Sequence, residues 1–253
     1  MSTSGGDRRT RERPRGAVGH RLLAVLGAAV TIGLVLAGID LVRAQDRDAD
    51  DAGLGPVAFG GPPPPVLRAG DGSTVLAWGD TTAPVLEIFT DYQCPECRAM
   101  DAAVGPMIKR LAARGRVRAV YRPFQFYRSP QDEPMTSGSA RAANAALCAP
   151  AAHWLPYHET LLAHQTAKGG QGFTPADLIA LGRRAGIPAG AFDACVTGAR
   201  MAGQVERMTR YATVERGVRE VPAAFLNGRR LEGTDRLLSP ARLERAIHAA
   251  RRR

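Results

Sequence analysis

The sequence predicts an α/β fold preceded by a single amino-terminal transmembrane helix. Three observations predict it. A β-branched, aromatic run at Val85 to Phe89 is followed by a helical pattern and then a second apolar run at Val117 to Tyr121, which together make a βαβ unit. A long stretch of helix formers follows, and the chain closes with two short strands and a helix. Ahead of these, Leu22 to Ile39 is an uncharged apolar run of 18 residues. As a helix it spans about 27 Å, near the thickness of a bilayer core.

The elements follow in order. Thr74 to Trp78 reads as an edge strand, and Val85 to Phe89 as a buried one. From Glu96 to Arg114, Met100, Val104, Met107, Ile108 and Leu111 recur on one helical face, with Gly105-Pro106 expected to kink it. Ser139 is expected to cap a helix running through Cys148. His153 to His164 forms another, and Thr174-Pro175 starts a third, with Thr as cap and Pro at its first position. A short helix covers Phe192 to Val196, and a longer one about Ala199 to Val214. Ala223 to Leu226 is a strand, Asn227-Gly228 a hairpin turn, and Arg230 to Glu232 the return strand. Ser239-Pro240 caps a final helix to Ala250.

The chain has 253 residues, 34 basic against 24 acidic, for a net charge of +10. That charge is dispersed. Residues 1–21 carry net +4, residues 40–51 net −3 and residues 200–253 net +7. All basic residues but Lys109 and Lys168 are Arg, a usage that a GC-rich coding bias produces without any ligand. No zinc-finger spacing, basic–aromatic stripe or Walker-type loop is present, so the charge does not point to nucleic acid. The arginines before Leu22 and the aspartates after Ile39 instead match the positive-inside rule for an anchor at 22–42. Residues 1–21 are then cytoplasmic. Val42-Arg43-Ala44 also offers a cleavage site, so a cleaved signal peptide is the alternative. Either reading places the rest outside the cytoplasm. Residues 43–72, Asp-rich then Gly- and Pro-rich, read as an extended linker. Residues 73–253 are long enough for one domain.

The chemistry concentrates at Cys94-Pro95-Glu96-Cys97, between a strand and a helix. Unpaired N–H groups and the positive end of the helix dipole stabilise a thiolate at that point. The spacing puts Cys97 one turn on, within disulfide reach, and Pro95 suits a first helical turn. A structural zinc site needs two more ligands, and Cys148 and Cys195 form no second pair of that spacing. In an exported chain the pattern favours redox chemistry. Another class stays open: two soft thiolates suit a Cu(I)-binding chaperone, although Met100 reads as a core residue rather than a third ligand. His153, His158 and His164, spaced by 5 and 6, do not share a metal-binding face and read as surface or packing residues. No metal or cofactor is implied.

Val85 to Cys97, the helical block, and Val221-Pro222 before Phe225-Leu226-Asn227-Gly228 together resemble the DsbA-type thioredoxin-fold oxidoreductases. Asp91-Tyr92-Gln93-Cys94-Pro95 resembles their membrane-anchored actinobacterial members. The resemblance covers about residues 73–250. It implies a thioredoxin-like fold with a helical insertion near 135–210. It also implies an exposed nucleophile at Cys94, a buried resolving thiol at Cys97, and a substrate-binding cis-proline loop at Val221-Pro222. Some members carry a second disulfide within the insertion, so Cys148 and Cys195, 47 residues apart, are expected to pair. Two small buried thiols are the alternative.

The sequence departs from the family pattern twice. The buried acid six residues before the first cysteine, which takes the resolving thiol's proton, is replaced by Ile88, with Glu87 one residue earlier. A one-residue shift changes the strand face, so either the strand bulges or water carries that proton. Glu96 also puts a carboxylate inside the active-site dipeptide, which opposes a thiolate. The resemblance implies a thiol:disulfide oxidoreductase forming disulfides in unfolded or partly folded exported polypeptides. A membrane protein of the vitamin K epoxide reductase-like type would reoxidise it. A reductase or isomerase role, including service to cytochrome c maturation, is the enzymatic alternative.

Overall fold

The computed structural model describes residues 65–76, 82–165, 172–233 and 237–251. The expected anchor at 22–42 lies outside them, as do most of the expected linker and Trp78. Among the described residues no helix is long and apolar enough to cross a membrane.

Among the described residues, six strands form one mixed sheet: β1 (Val66–Arg68), β2 (Thr74–Leu76), β3 (Val85–Thr90), β4 (Arg118–Pro123), β5 (Ala223–Leu226) and β6 (Arg229–Arg230). Their order is β1-β2-β4-β3-β5-β6. Only β3 and β4 pair in parallel, across the crossover helix α1 (Pro95–Ala113). The other pairs are antiparallel. β3 thus sits inside the sheet with helices on both faces, and its apolar run carries no polar alternation because both faces are covered. The β5–β6 hairpin closes through Asn227 and Gly228, both at positive φ, the backbone a two-residue turn of this kind demands. Asn227 Oδ1 also accepts the Val85 N–H at 2.8 Å, tying the turn to the start of β3.

The helical block holds α2 (Met135–Cys148), α3 (Ala151–Ala163), α4 (Pro175–Arg184), α5 (Ala191–Thr197) and α6 (Ala202–Arg210), which runs on as a π-helical turn at Tyr211–Glu215. The chain ends in α7 (Pro240–Ala250). On one face of the sheet, Leu86 and Ile88 pack with Val104, Met107 and Ile108 of α1, Trp154 and Leu161 of α3, and Ile247 of α7. On the other, Phe89 and Phe225 pack with Met208 and Ala212. Each such large side chain contributes about 1.5–3 kcal/mol on leaving water.

Three expectations are corrected. Thr74–Leu76 is not an edge strand, because β1 pairs outside it. The strand β1 falls within the stretch expected to be linker. Its Arg68 reaches across to donate to the Leu147 carbonyl at 2.6 Å, satisfying an unpaired end of α2. Ser139 does not cap α2. The helix begins four residues earlier at Met135, behind Pro134, and Ser139 is a fully buried interior residue.

Cys148 and Cys195 are joined by a disulfide linking the ends of α2 and α5. For a bridge spanning 47 residues the chain-entropy model gives about 4 kcal/mol of stabilisation.

Candidate active site

Asp91, Tyr92 and Gln93 carry the chain from β3 into α1, and Cys94 is the N-cap of that helix. Its φ of −85° and ψ of 114° turn Sγ back over the helix end, where it accepts the Cys97 N–H at 3.2 Å. Pro95 lacks an N–H at a position where the helix has no acceptor for one. The Cys94 thiol also has two acceptors in reach, Glu96 Oε2 at 3.4 Å and the Val221 carbonyl at 3.6 Å. The Val221–Pro222 peptide is cis. The cysteine pair and the Val221-Pro222 loop, 127 residues apart in sequence, therefore meet at one place. A groove beside them is lined by Glu96, Glu220, Val221, Pro222, Arg230 and Leu231, with Glu220 and Arg230 paired at 2.9 Å.

Both cysteines are free thiols, and both are buried. Cys94, expected to be the exposed member, is 1% exposed. Its sulfur lies against the Cys97 N–H, the Glu96 carboxylate and the Val221 carbonyl. Burial pushes the Cys97 thiol well above its ordinary range, the hydrogen bond and charge of Cys94 push the same way, and a backbone hydrogen bond with Asp91 pulls it part of the way back.

Glu87 is not near this chemistry. β3 pairs residue for residue with β4 and with β5, without a bulge. Ile88 faces the cysteines' core, so Glu87 faces the opposite side of the sheet. There it pairs with Arg122 at 2.9 Å and Arg216 at 2.7 Å. The guanidinium groups lie over Tyr211 and Phe225.

The buried carboxylate at the site is Asp91, the first residue of Asp91-Tyr92-Gln93-Cys94-Pro95, to which the sequence alone gives no role. It is fully buried. Oδ1 accepts the Gln93 N–H at 2.8 Å, and Oδ2 accepts Phe126 N–H at 2.7 Å and the Ser139 hydroxyl. Burial raises its carboxyl above the usual range, and these hydrogen bonds pull it part of the way back. One side chain thus ties the turn before Cys94 to the loop after β4 and to α2. That loop carries Tyr127, whose hydroxyl is pushed up by burial and then by the nearby Cys94, Asp91, Glu96 and Cys97.

Gln93 fills a space left by two glycines. A Cβ on Gly138 or on Gly172, the latter at φ +66°, would meet its side-chain amide. Gln165, just past α3, donates to the Cys94 carbonyl at 2.9 Å. Met100 packs in the core. His158 is buried among Tyr92, Tyr121 and Trp154 and bonds the Tyr92 hydroxyl at 2.9 Å, while His164 is exposed. Among the described residues no group of three or more His, Cys, Asp or Glu is placed to hold a metal.

A fold with this strand order, and a cysteine pair capping α1 opposite a cis-proline, invites comparison with known proteins. The thioredoxin family profile matches residues 72–249. The chain belongs to the thioredoxin family. This thioredoxin-family chain is similar in structure to oxidised DsbA of Mycobacterium tuberculosis, at 24% identity and a TM-score of 0.58 over 74% of this chain and 92% of that one. BdbD from Bacillus subtilis matches at 18% identity and 0.62, over 76% and 100%. MdbA from Actinomyces oris, a thiol-disulfide oxidoreductase, matches at 19% and 0.58, over 73% and 90%. No curated protein matches this thioredoxin-family chain by sequence.

Proposed function

We propose that this protein is an extracytoplasmic thiol:disulfide oxidoreductase that forms disulfides in exported polypeptides. One observation carries the reading: Cys94 Sγ sits at the head of α1, accepts the Cys97 N–H, and lies against the carbonyl of Val221 before the cis-proline. The helix terminus stabilises a Cys94 thiolate as the leaving sulfur. The proline loop offers backbone groups to an extended substrate chain.

In the oxidised form, a substrate thiolate attacks Cys94 of the Cys94–Cys97 disulfide. The new bond joins substrate sulfur to Cys94, and Cys97 departs and takes up a proton. Its burial favours that protonated state. A second substrate thiolate then attacks the first substrate sulfur and releases the Cys94 thiolate. The substrate loses two electrons and the cysteine pair gains them. Because Cys94 is covered in the dithiol form, the Glu96 side chain and the Val221 loop shift aside to admit substrate. Residues 22–42 anchor the enzyme in the membrane, and a quinone-linked, vitamin K epoxide reductase-like membrane protein restores the disulfide.

Trapping tests this. Cys97→Ala leaves Cys94 without its resolving partner, so mixed disulfides with exported proteins accumulate and vanish under reductant. A Cys97→Ala protein that traps none, together with tight Cu(I) binding by the wild type, contradicts the reading.

A further inference from the structure

The turn bearing Cys94 is held from outside the thioredoxin core. Ser139 of α2 bonds Asp91. Gly138 and Gly172 enclose the Gln93 side chain. Gln165, just past α3, bonds Cys94 itself. All these groups belong to the helical block. Among the described residues, Gln165 is the one side chain of that block that bonds to the Cys94 backbone.

The Cys94 carbonyl already accepts the Cys97 N–H at 3.1 Å and the Arg98 N–H at 3.3 Å, as an N-cap carbonyl does. The helix therefore does not need a third donor. What the Gln165 amide adds is a fixed orientation of the peptide plane between Cys94 and Pro95. That plane sets ψ of Cys94, and so fixes where the Cys97 N–H stands relative to the Cβ that carries Sγ, which accepts it at 3.2 Å. The amide also brings the positive end of an N–H dipole beside the sulfur-bearing residue.

The cost of this arrangement points the same way. Gln165 Oε1 is buried and has no hydrogen-bond partner among the described residues. An orphaned buried oxygen is unfavourable, and an apolar side chain of the same size avoids it. A residue kept only for packing would not need an amide here.

We propose that Gln165 is a positioning residue for Cys94: its amide holds the Cys94 carbonyl so that Sγ stays in place to accept the Cys97 N–H, which favours the reduced pair. The proposal rests on the reading of Cys94 as the reacting thiol.

The test compares the full chain carrying Gln165→Leu, which keeps volume without the donor, and Gln165→Glu, which puts an acceptor in its place. Two quantities are read: the equilibrium constant with glutathione and the rate of Cys94 alkylation by iodoacetamide at fixed pH. Both variants are expected to shift the equilibrium about tenfold toward the oxidised protein, or about 30 mV, and to slow alkylation several-fold. The urea midpoint of the oxidised form stays the same or rises in Gln165→Leu. Should that variant not fold, Gln165→Asn, which keeps the amide but shortens its reach, gives the same comparison. Folded variants within twofold of wild type in both quantities overturn the role of Gln165 while leaving the function intact. A wild type that does not exchange with glutathione overturns both.

Discussion

Glu96 Oε2 lies 3.4 Å from Cys94 Sγ, close enough to accept the thiol's hydrogen bond. The thiolate cannot make that bond, and meets a carboxylate charge instead. Glu96→Gln removes the repulsion from the reduced pair. A unit charge this close in a water-facing site changes such an equilibrium by about three- to fivefold. The variant is therefore expected to be more oxidising by that factor, read as a higher fraction of reduced protein in a glutathione buffer. An unchanged or lower fraction contradicts the role given to Glu96.

Cys97 makes the reduced form sensitive to alkaline pH. Its thiol lies well above its ordinary range in the folded chain, through burial and then the hydrogen bond and charge of Cys94. Above about pH 8.5 the unfolded chain releases this proton and the folded chain keeps it. The unfolded state then binds fewer protons, so stability falls as pH rises, by up to about 1.4 kcal/mol per pH unit for this group. Urea denaturation between pH 9 and 10 under excess reductant is expected to show a steeper fall for wild type than for Cys97→Ala, by about that slope. Equal slopes in the two proteins rule the effect out.

Glu87 is a stability residue by its position. It is 8% exposed and sits between Arg122 and Arg216. Glu87→Gln leaves Arg216 without its countercharge and Arg122 with Asp71 alone, at a cost of about 2–4 kcal/mol. The reduction potential of Cys94–Cys97 is expected to stay at its wild-type value, because Glu87 faces away from the pair. A shifted potential with unchanged stability reverses the assignment.

The parts of this site legible in the sequence were those with short-range signals. A strand running into a cysteine pair three residues apart is a local pattern, and so are the Asn227-Gly228 turn and the Thr174 and Ser239 caps. The parts that were not legible depend on partners far along the chain. Asp91 meets Ser139 48 residues on, and Cys94 meets Gln165 71 residues on. Glu87 meets Arg216 at a separation of 129. Ser139 carries the residue type of a helix cap, and only the packing of α2 against Asp91 makes it an interior donor. Strand β1 has three residues, too few for an alternation to register, and it exists because β2 offers it an edge. Cys94 also meets the Val221 carbonyl, 127 residues on, which no local pattern around residue 94 reveals.

Gly138 offers a test of the packing around the active-site turn. A methyl there meets the Gln93 amide on one side and the backbone of Gly172 and Phe173, at 3.0 and 3.2 Å, on the other. Neither side yields cheaply. Gly138→Ala is expected to cost about 1–3 kcal/mol and, by displacing the neighbour of Cys94, to alter the rate of exchange with glutathione. A variant equal to wild type in both refutes the tight fit.

The central claim is that Cys94 and Cys97 form a disulfide that takes electrons from substrate thiols. Its most direct test is the reduction potential of the pair, measured by equilibration with glutathione and quantified by alkylation. The account predicts a value more positive than about −200 mV, toward the oxidising end of the thioredoxin-fold proteins. A value near −270 mV, that of a reductant, contradicts it.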